Sequence, residues 1–235
     1  MPTASSKIIQ NALADSRHTL SEFESKTVLA EYKLPVADQA LAGTAREACD
    51  AADQIGYPVA MKACGPRLLH KTESGGVALN ISSHTEVRQT FETLMSINPR
   101  PEGILVQAMV AGGRELVVGC NRDPQFGPCV MLGLGGIFTE VLADTAFRAM
   151  PFDRVEALDM AAELRHTRIF KEFRGEAPVD LDRLADILLA VRDLAMSHPQ
   201  IDELDINPLI ITRGGECVAV DALVVLQKGL QADGV

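Results

Sequence analysis

A lysine and a histidine stand near a pair of glycines between Val59 and Ile81, and these residue types can bind and transfer phosphate. Lys62 ends an apolar run that predicts a buried strand, where an ammonium group can meet a phosphate as a point charge. His70 lies in the following loop, and an imidazole can act as a base, a ligand or a nucleophile that carries a phosphoryl group. The pair Gly75-Gly76 allows a ligand close to the backbone. Each feature also has an ordinary interpretation: a lysine at a strand end, a solvated histidine and a plain turn.

A second glycine-rich segment, LGLGG at residues 132–136, resembles a loop in which successive backbone N–H groups face an anion. Gly135 and Gly136 are its last two residues. The segment has neither the Lys-Ser/Thr of a P-loop nor a complete dinucleotide-binding fingerprint, so neither motif is assigned. A hairpin turn is an equally good interpretation of the same glycines.

Two oxygen-bearing side chains face each other in the predicted C-terminal hairpin. Asp205 and Asn207 alternate on one strand, and Asp221 interrupts an apolar run on the next. A turn at 214–215 places Asn207 opposite Asp221, because each lies about seven residues from the turn. A carboxylate in an apolar strand is costly unless it is paired or binds a metal. The pattern predicts Mg²⁺, which takes few protein ligands together with substrate phosphates, and the alternative is a structural Asn–Asp hydrogen bond.

Composition restricts the classes of partner. The 235 residues are 47% hydrophobic and 23% charged, which is typical of a globular protein, and the net charge of −10 opposes a nucleic-acid or anionic-membrane surface. Tryptophan is absent and aromatic residues make up only 4%, so stacking platforms for single-stranded nucleic acid are not expected. Five cysteines without CxxC spacing, no signal peptide and no long apolar run predict a cytoplasmic protein without membrane contact.

The order of predicted elements indicates the α+β class with two lobes. Helices and strands alternate up to a segment rich in proline and glycine at residues 98–103, and hairpins with helices follow it. Ser21 and Glu24 form a capping-box pattern, the pair Ser82-Ser83 is a cap candidate for a helix over 84–95, and the last strand is expected over 218–226. Strand 104–110 is expected to form a hairpin with strand 115–120 across a tight glycine turn. The predicted divisions are an N-terminal extension over 1–19, a first lobe with the His70 loop over 20–103, a second lobe over 104–228 and a tail over 229–235.

Together these motifs resemble an ATP-grasp fold over nearly the whole chain, from about Leu20 to Leu226. The segments that carry the resemblance are the strand ending in Lys62, ILVQAMV, GGRELVVG, GLGGIFTE, and DINPL with the distal VDA strand. Within that superfamily, LLHKTESGGV and ELDINPLII…VAVDALVVL are similar to the nucleotide-binding β subunit of ADP-forming acyl-CoA (acetyl-CoA) synthetases, relatives of succinyl-CoA synthetase. The histidine is the most specific part, because general ATP-grasp ligases do not carry one there.

The resemblance implies an enzyme subunit that binds ATP or ADP between its two lobes, with Mg²⁺ held by Asn207 and Asp221. His70 would relay a phosphoryl group to ADP as phosphohistidine. The reversible reaction would convert acyl-CoA, ADP and phosphate into acid, CoA and ATP, with the acyl-CoA chemistry on a separate CoA-binding α subunit and an α₂β₂ assembly. The implied nucleotide contacts are Lys62, Gln107, Ala108, Met109, Val110, Glu115, Gly135 and Gly136.

Two other functions also fit these residues. An ATP-grasp carboxylate–amine ligase would activate its substrate as an acyl phosphate, would need an amine acceptor and would leave His70 incidental. A non-catalytic nucleotide-sensing module would bind the nucleotide without turnover. A CoA-binding α partner would distinguish the first function from both alternatives.

Overall fold

The computed structural model describes residues 3–65, 68, 75–136 and 144–228, which divide into two units. The larger unit comprises Met1–Leu20, Ser25–Val36 and Val110–Val235, and the smaller one comprises Ser21–Glu24 and Ala37–Met109. None of the helices in the described ranges has the length and apolar character that crossing a membrane requires. The predicted catalytic residue, His70, lies outside the described residues.

Six α-helices, one 3₁₀ helix and two β-sheets make up the described chain, which confirms the predicted α+β class. In chain order the elements are α1 (Ala4–Ala14), α2 (Glu22–Glu31), β1 (Gln39–Ala42), α3 (Ala45–Ile55), β2 (Val59–Cys64), β3 (Val77–Ile81), α4 (His84–Met95), β4 (Gly103–Ala108), β5 (Arg114–Asp123), β6 (Gly127–Leu134), β7 (Thr145–Ala149), α5 (Arg154–Glu163), the 3₁₀ helix (Thr167–Phe170), α6 (Leu181–Ser197), β8 (Ile201–Ile211), β9 (Cys217–Ala219) and β10 (Ala222–Leu226). The sequence did not predict β1, β7 or the 3₁₀ helix. The strand predicted over 218–226 is two short strands, β9 and β10.

The smaller unit is an antiparallel sheet of four strands in the order β1-β4-β2-β3, packed against α3 and α4. Every residue of β2 is buried. Thr44 caps α3 through a complete capping box with Glu47, and Ser83 caps α4, as the Ser82-Ser83 pair predicts. The apolar sides of both helices cover the sheet and make the core of this unit.

The predicted hairpin between strands 104–110 and 115–120 is wrong. β4 pairs with β1 and β2 in the smaller unit, whereas β5 pairs with β6 and β8 in the larger one. β4 is almost entirely buried, so it needs a strand on each side to satisfy its backbone groups, and β1 and β2 provide them. The two units meet in the sequence between Met109 and Val110, whereas the predicted boundary follows residue 103.

The larger unit contains a six-stranded sheet in the order β10-β8-β5-β6-β7, with β9 also paired to β8. Leu204 and Ile206 of β8 are buried two positions apart, and after a register shift Leu209 is buried as well; all three join a core that also contains α5 and α6. Asp205 and Asn207 alternate with these residues and project from the opposite face of the sheet. That opposite face carries the predicted metal-binding residues.

Candidate functional site

Lys62 forms a buried ion pair within the smaller unit. Its Nζ lies 2.7 Å from Oε1 of Glu22, the first residue of α2, and the two side chains are 8% and 2% exposed. The pair stands where the capping box of Ser21 and Glu24 begins the helix, as the sequence predicts. Lys62 is therefore no surface lysine, although its contact with a nucleotide stays a prediction. The sequence did not indicate Glu22 as the partner of Lys62, because the two residues lie 40 positions apart along the chain.

The four predicted nucleotide contacts at 107–110 lie at the end of β4 and just beyond it. Gln107 is buried and pairs with neighbouring strands on both sides. Ala108 donates its backbone N–H to the carbonyl of Asp38 at 2.9 Å. Met109 and Val110 follow the strand, are half-buried and stand on either side of the division between the two units. Their contact with the nucleotide stays a prediction.

Glu115, Gly135 and Gly136 come together in the larger unit. The N–H of Gly135 donates to the backbone carbonyl of Glu115 at 2.8 Å. A Cβ atom on Gly135 would lie 2.8 Å from the Cβ of Glu115. Gly136 has a φ of +65°, and a Cβ there would meet the Glu115 carboxylate at 3.0 Å. These two positions therefore require glycine, because a side chain would collide with β5 or strain the backbone.

A cavity of about 590 Å³ opens beside these residues, entirely within the larger unit. This volume is in the range of small-molecule sites, which run from about 300 to 1,000 Å³. Its charged and ionisable lining residues are Arg114, Glu115, His166 and Arg168, and Ile169 and Phe173 add apolar surface. The sequence did not predict the last four residues, which stand in no recognised motif.

Arg114 fixes one wall of the cavity. Its buried guanidinium is 3.1 Å from a carboxylate oxygen of Glu176 and donates to the carbonyls of Ile169 at 2.9 Å, Lys171 at 3.1 Å and Ala177 at 2.6 Å. All of these acceptors lie between the 3₁₀ helix and α6, or in the 3₁₀ helix itself. Arg114 thus attaches that segment to β5, since a planar guanidinium can satisfy several acceptors at once.

Asp144 holds His166 at the edge of the cavity. The Asp144 side chain is 3% exposed, and its carboxylate accepts the backbone N–H groups of Arg165 at 2.8 Å and His166 at 2.9 Å. The same carboxylate is 2.8 Å from Nδ1 of the His166 ring. Burial by itself raises the pKa of Asp144, but these hydrogen bonds and the nearby His166 ring outweigh it and lower the pKa below its ordinary value. The carboxylate is therefore held in its ionised form.

Asn207 and Asp221 face each other, as the sequence predicts. The backbone N–H of Asn207 donates to the carbonyl of Asp221 at 3.3 Å, and the flanking pairs Ile206–Ala222 and Leu209–Ala219 share this register. Asp221 stands in the break between β9 and β10. Its carboxylate accepts the N–H of Ala222 at 2.9 Å.

The surroundings of this pair suit a divalent cation. Burial first, and then the charges of Glu203 and Asp221, raise the pKa of Asp205 to about 6. A bound cation would relieve this repulsion, and amide and carboxylate oxygens are ligands that Mg²⁺ accepts. The described residues contain no cluster of three or more His, Cys, Asp or Glu side chains that could hold a metal, so water or phosphate oxygens would complete the coordination of a cation here. Asn207 and Asp221 thus fit Mg²⁺, and their ligation stays a prediction.

Glu115, which lines the cavity, and Asn207, which pairs with Asp221, lie on neighbouring strands of one sheet. Glu115 pairs with Ile210, which lies three residues along β8 from Asn207. At the rise of a β-strand this separation is roughly 10 Å along the strand. A ligand with several phosphate groups has the length to reach from one to the other.

Comparison with known proteins identifies relatives of the whole chain. Residues 11–226 match the family described as "ATP-grasp domain". The chain is 42% identical over 226 residues to the β subunit of acetate–CoA ligase [ADP-forming] I from Pyrococcus furiosus, covering 94% of this chain and 97% of that subunit. It is 44% identical over 208 residues to acetate–CoA ligase [ADP-forming] I from Archaeoglobus fulgidus, covering 86% of this chain but only 30% of that longer protein.

A solved structure of similar fold comes from Ca. Korarchaeum cryptofilum. It is acetyl-coenzyme A synthetase 1 in complex with coenzyme A and Mg-AMPPCP, with a phosphohistidine segment pointing towards the nucleotide binding site. The similarity covers 95% of this chain and all of that one, with a TM-score of 0.85 and 35% sequence identity.

Proposed function

This chain belongs to the ATP-grasp family of ADP-forming acetate–CoA ligase β subunits, and we propose that it is the nucleotide-binding subunit of an acyl-CoA synthetase. One observation carries the proposal: a single sheet contains both the Glu115–Gly135–Gly136 wall of the cavity and Asn207, whose backbone pairs with that of Asp221. A glycine wall that a ligand can approach closely, near side chains that suit Mg²⁺, is compatible with a phosphoryl-transfer site, although the N–H of Gly135 itself donates to the Glu115 carbonyl.

The reaction is the reversible conversion of acyl-CoA, ADP and phosphate into acid, CoA and ATP, which makes the enzyme an acid–thiol ligase. ATP or ADP and Mg²⁺ are its cofactors, and Mg²⁺ when bound neutralises phosphate charge. In the final step an oxygen of the ADP β-phosphate attacks the phosphorus of phosphorylated His70. The P–N bond breaks and its electron pair returns to the imidazole nitrogen, so atoms and charge balance. In this proposal Lys62 and the residues 107–110 contact the nucleotide.

The reaction also requires a CoA-binding α subunit, and we expect an α₂β₂ assembly. The name of the Pyrococcus relative, a β subunit, supports a partner, and the chain covers only 30% of the single-chain Archaeoglobus relative. A cytoplasmic location is part of the proposal, supported by the five cysteines, which are all free and of which four are buried.

Reconstitution tests this function. The chain mixed with a CoA-binding α subunit is expected to form ATP from ADP, phosphate and acetyl-CoA, and His70→Ala is expected to abolish that activity. His84→Ala is the control, because His84 is an exposed histidine on α4 that bonds to Asp53. Full activity of His70→Ala would show that the relay assignment is wrong.

Labelling separates the alternatives. Incubation with labelled ATP and Mg²⁺ is expected to leave acid-labile, base-stable phosphate on His70. An amine-dependent release of ADP without a need for CoA would favour the carboxylate–amine ligase. Nucleotide binding without turnover in the presence of the α subunit would favour the sensing module.

A further inference from the structure

The cavity of the larger unit presents two basic side chains, His166 and Arg168, that the proposed function does not yet use. The chain carries a net charge of −10, so basic groups on a concave surface stand out against their surroundings. The cavity also contains the carboxylate of Glu115, and the guanidinium of Arg114 is already engaged by Glu176. His166 and Arg168 therefore provide the positive charge with which the cavity can meet an anion.

The His166 ring is oriented by a carboxylate that water barely reaches. Asp144 is fixed by two backbone N–H groups and contacts Nδ1, which leaves Nε2 as the ring nitrogen that Asp144 does not occupy. The His166 side chain is 52% exposed, so a ligand can reach it. With the Nδ1 hydrogen directed at Asp144, Nε2 is the ring atom that can exchange a hydrogen bond with a ligand, as a donor when the ring is protonated.

Arg168 is positioned by an aromatic ring. Its guanidinium carbon lies 5.9 Å from the centroid of Phe173, within the range of a cation–π contact. The side chain is exposed, and across the described part of the chain no carboxylate forms an ion pair with it. A guanidinium in this contact keeps N–H groups available to a ligand, and their planar arrangement matches phosphate oxygens.

We propose that His166, held by Asp144, and Arg168 together bind a phosphoryl oxyanion in this cavity. The ligand is either free phosphate or a phosphate group of the nucleotide, and both offer the same oxygens to the same donors. The inference rests on the proposed function, because that reaction supplies both ligands. Asp144 is a positioning residue, since it acts through the His166 ring.

Binding measurements on the full chain test the proposal. Orthophosphate, ADP with Mg²⁺, and adenosine are titrated separately by calorimetry into wild type, His166→Gln and Arg168→Gln. A hydrogen bond to a charged group contributes about 1.5–3 kcal/mol, so each variant is expected to bind the phosphate-containing probes about tenfold or more weakly. Adenosine affinity is expected to be unchanged. If His166→Gln binds orthophosphate more weakly than wild type does, free phosphate is a ligand of the cavity. If only its affinity for ADP falls, the ligand is a phosphate group of the nucleotide.

A matched control and a second readout make the test specific. His84→Gln serves as the control, because His84 is also 52% exposed and bonds to a carboxylate, but that carboxylate, Asp53, is 51% exposed and lies outside the cavity. In ¹⁵N-histidine NMR, phosphate is expected to move the Nε2 resonance of His166 towards the protonated position and to leave His84 unchanged. The Asp144→Asn variant is expected to weaken this response.

Two results would overturn the inference. One is wild-type affinity of both variants for orthophosphate and for ADP, and the other is an Nε2 resonance that neither orthophosphate nor ADP with Mg²⁺ moves. If wild type itself fails to bind ADP with Mg²⁺, the proposed function fails as well. If wild type binds ADP with Mg²⁺ and both variants bind ADP and orthophosphate as tightly as wild type does, the proposed function stands and only the present inference fails. Thermal unfolding of each variant checks that the fold is intact.

Discussion

At the scale of single residues, the candidate site contains buried charged side chains that are each held by a specific partner. Transferring an ion out of water costs several kcal/mol unless an opposite charge or several hydrogen bonds replace the hydration. Lys62 meets Glu22, and Asp144 meets two backbone N–H groups and the His166 ring. Each buried ion thus depends on a particular partner, and replacing that partner should have a measurable cost.

Replacing Glu22 by Gln tests the ion pair with Lys62. The variant removes the carboxylate that lies 2.7 Å from the buried Lys62 ammonium, so the free energy of unfolding is expected to fall by about 3 kcal/mol in urea denaturation. Glu163→Gln is the control, because Glu163 pairs with Arg148 at the surface and is expected to cost less than about 1 kcal/mol. Equal losses in the two variants would contradict the distinction between a buried and an exposed pair.

The pH dependence of stability tests Asp144. Its pKa is lower in the folded protein than the ordinary value of 3.8, so the unfolded chain binds the proton more tightly. The stabilisation is therefore complete above the ordinary pKa and is lost as the pH falls through the lower folded value. Between about pH 5 and pH 3, wild type is expected to lose more stability than Asp144→Asn.

Urea midpoints across this pH range provide the measurement. Asp53→Asn is the control, because the Asp53 carboxylate is half exposed and bonds to the exposed ring of His84. Its acid-side slope is expected to follow that of wild type. Parallel slopes for wild type and Asp144→Asn would contradict the role given to the buried carboxylate.

Strand register places the site at the scale of secondary-structure elements. The pairing of β5 with β6 and β8 places Glu115 beside Gly135 on one side and Ile210 on the other. The break between β9 and β10 places Asp221 opposite Asn207. Because these strands share one sheet, a change that displaces one strand against another is expected to alter both parts of the site.

Gly135→Ala tests the close approach of β6 to β5. The added methyl group would lie 2.8 Å from Glu115 Cβ and 2.9 Å from the Glu115 backbone, so a strand must shift. Overpacking of this kind costs about 1–3 kcal/mol, and we expect ADP affinity to fall together with stability. Gly113→Ala is the control, since it lines the same cavity and its added methyl group would find only Glu176 Oε1 at 3.8 Å. Wild-type stability of Gly135→Ala would contradict the argument.

At the scale of the whole molecule, the chain builds two separate cores. The larger core contains α1, α5, α6 and one face of the six-stranded sheet, and the smaller contains α3, α4 and the four-stranded sheet. Substitutions in different cores share no partners, so their effects on stability are expected to add. A ligand that binds only the folded protein stabilises the folded chain by mass action.

Removing Mg²⁺ with EDTA, or the proposed metal-ligating carboxylate of Asp221 by substitution, tests the metal site at this scale. ADP with Mg²⁺ at 100 times its Kd is expected to stabilise the protein by about 2.7 kcal/mol in a thermal unfolding experiment. EDTA is expected to reduce this stabilisation in wild type. In Asp221→Asn the stabilisation by ADP is expected to be the same with and without EDTA. Asp202→Asn, on an exposed position of the same strand as Asn207, is the control. An unchanged Mg²⁺ effect in Asp221→Asn would contradict the assignment of this carboxylate.

The sequence by itself determined features that depend on neighbouring residues. Helix α4 has the predicted bounds, and its cap at Ser83 was predicted as well. The opposition of Asn207 and Asp221 also followed from counting along one hairpin. Caps, helical periodicity and short hairpins involve residues a few positions apart, so local backbone geometry suffices to predict them. The motifs around His70 and DINPL likewise indicated the family to which the chain belongs.

Only the tertiary structure decided which distant residues meet. It placed β4 and β5 in different sheets, paired Lys62 with Glu22 and brought His166 against Asp144. These contacts depend on which strands bury each other's faces and on which buried charge finds a partner. Both are properties of the packed chain and leave no periodic signal in the sequence. The cavity that His166 and Arg168 line could be found for this reason only in the folded protein.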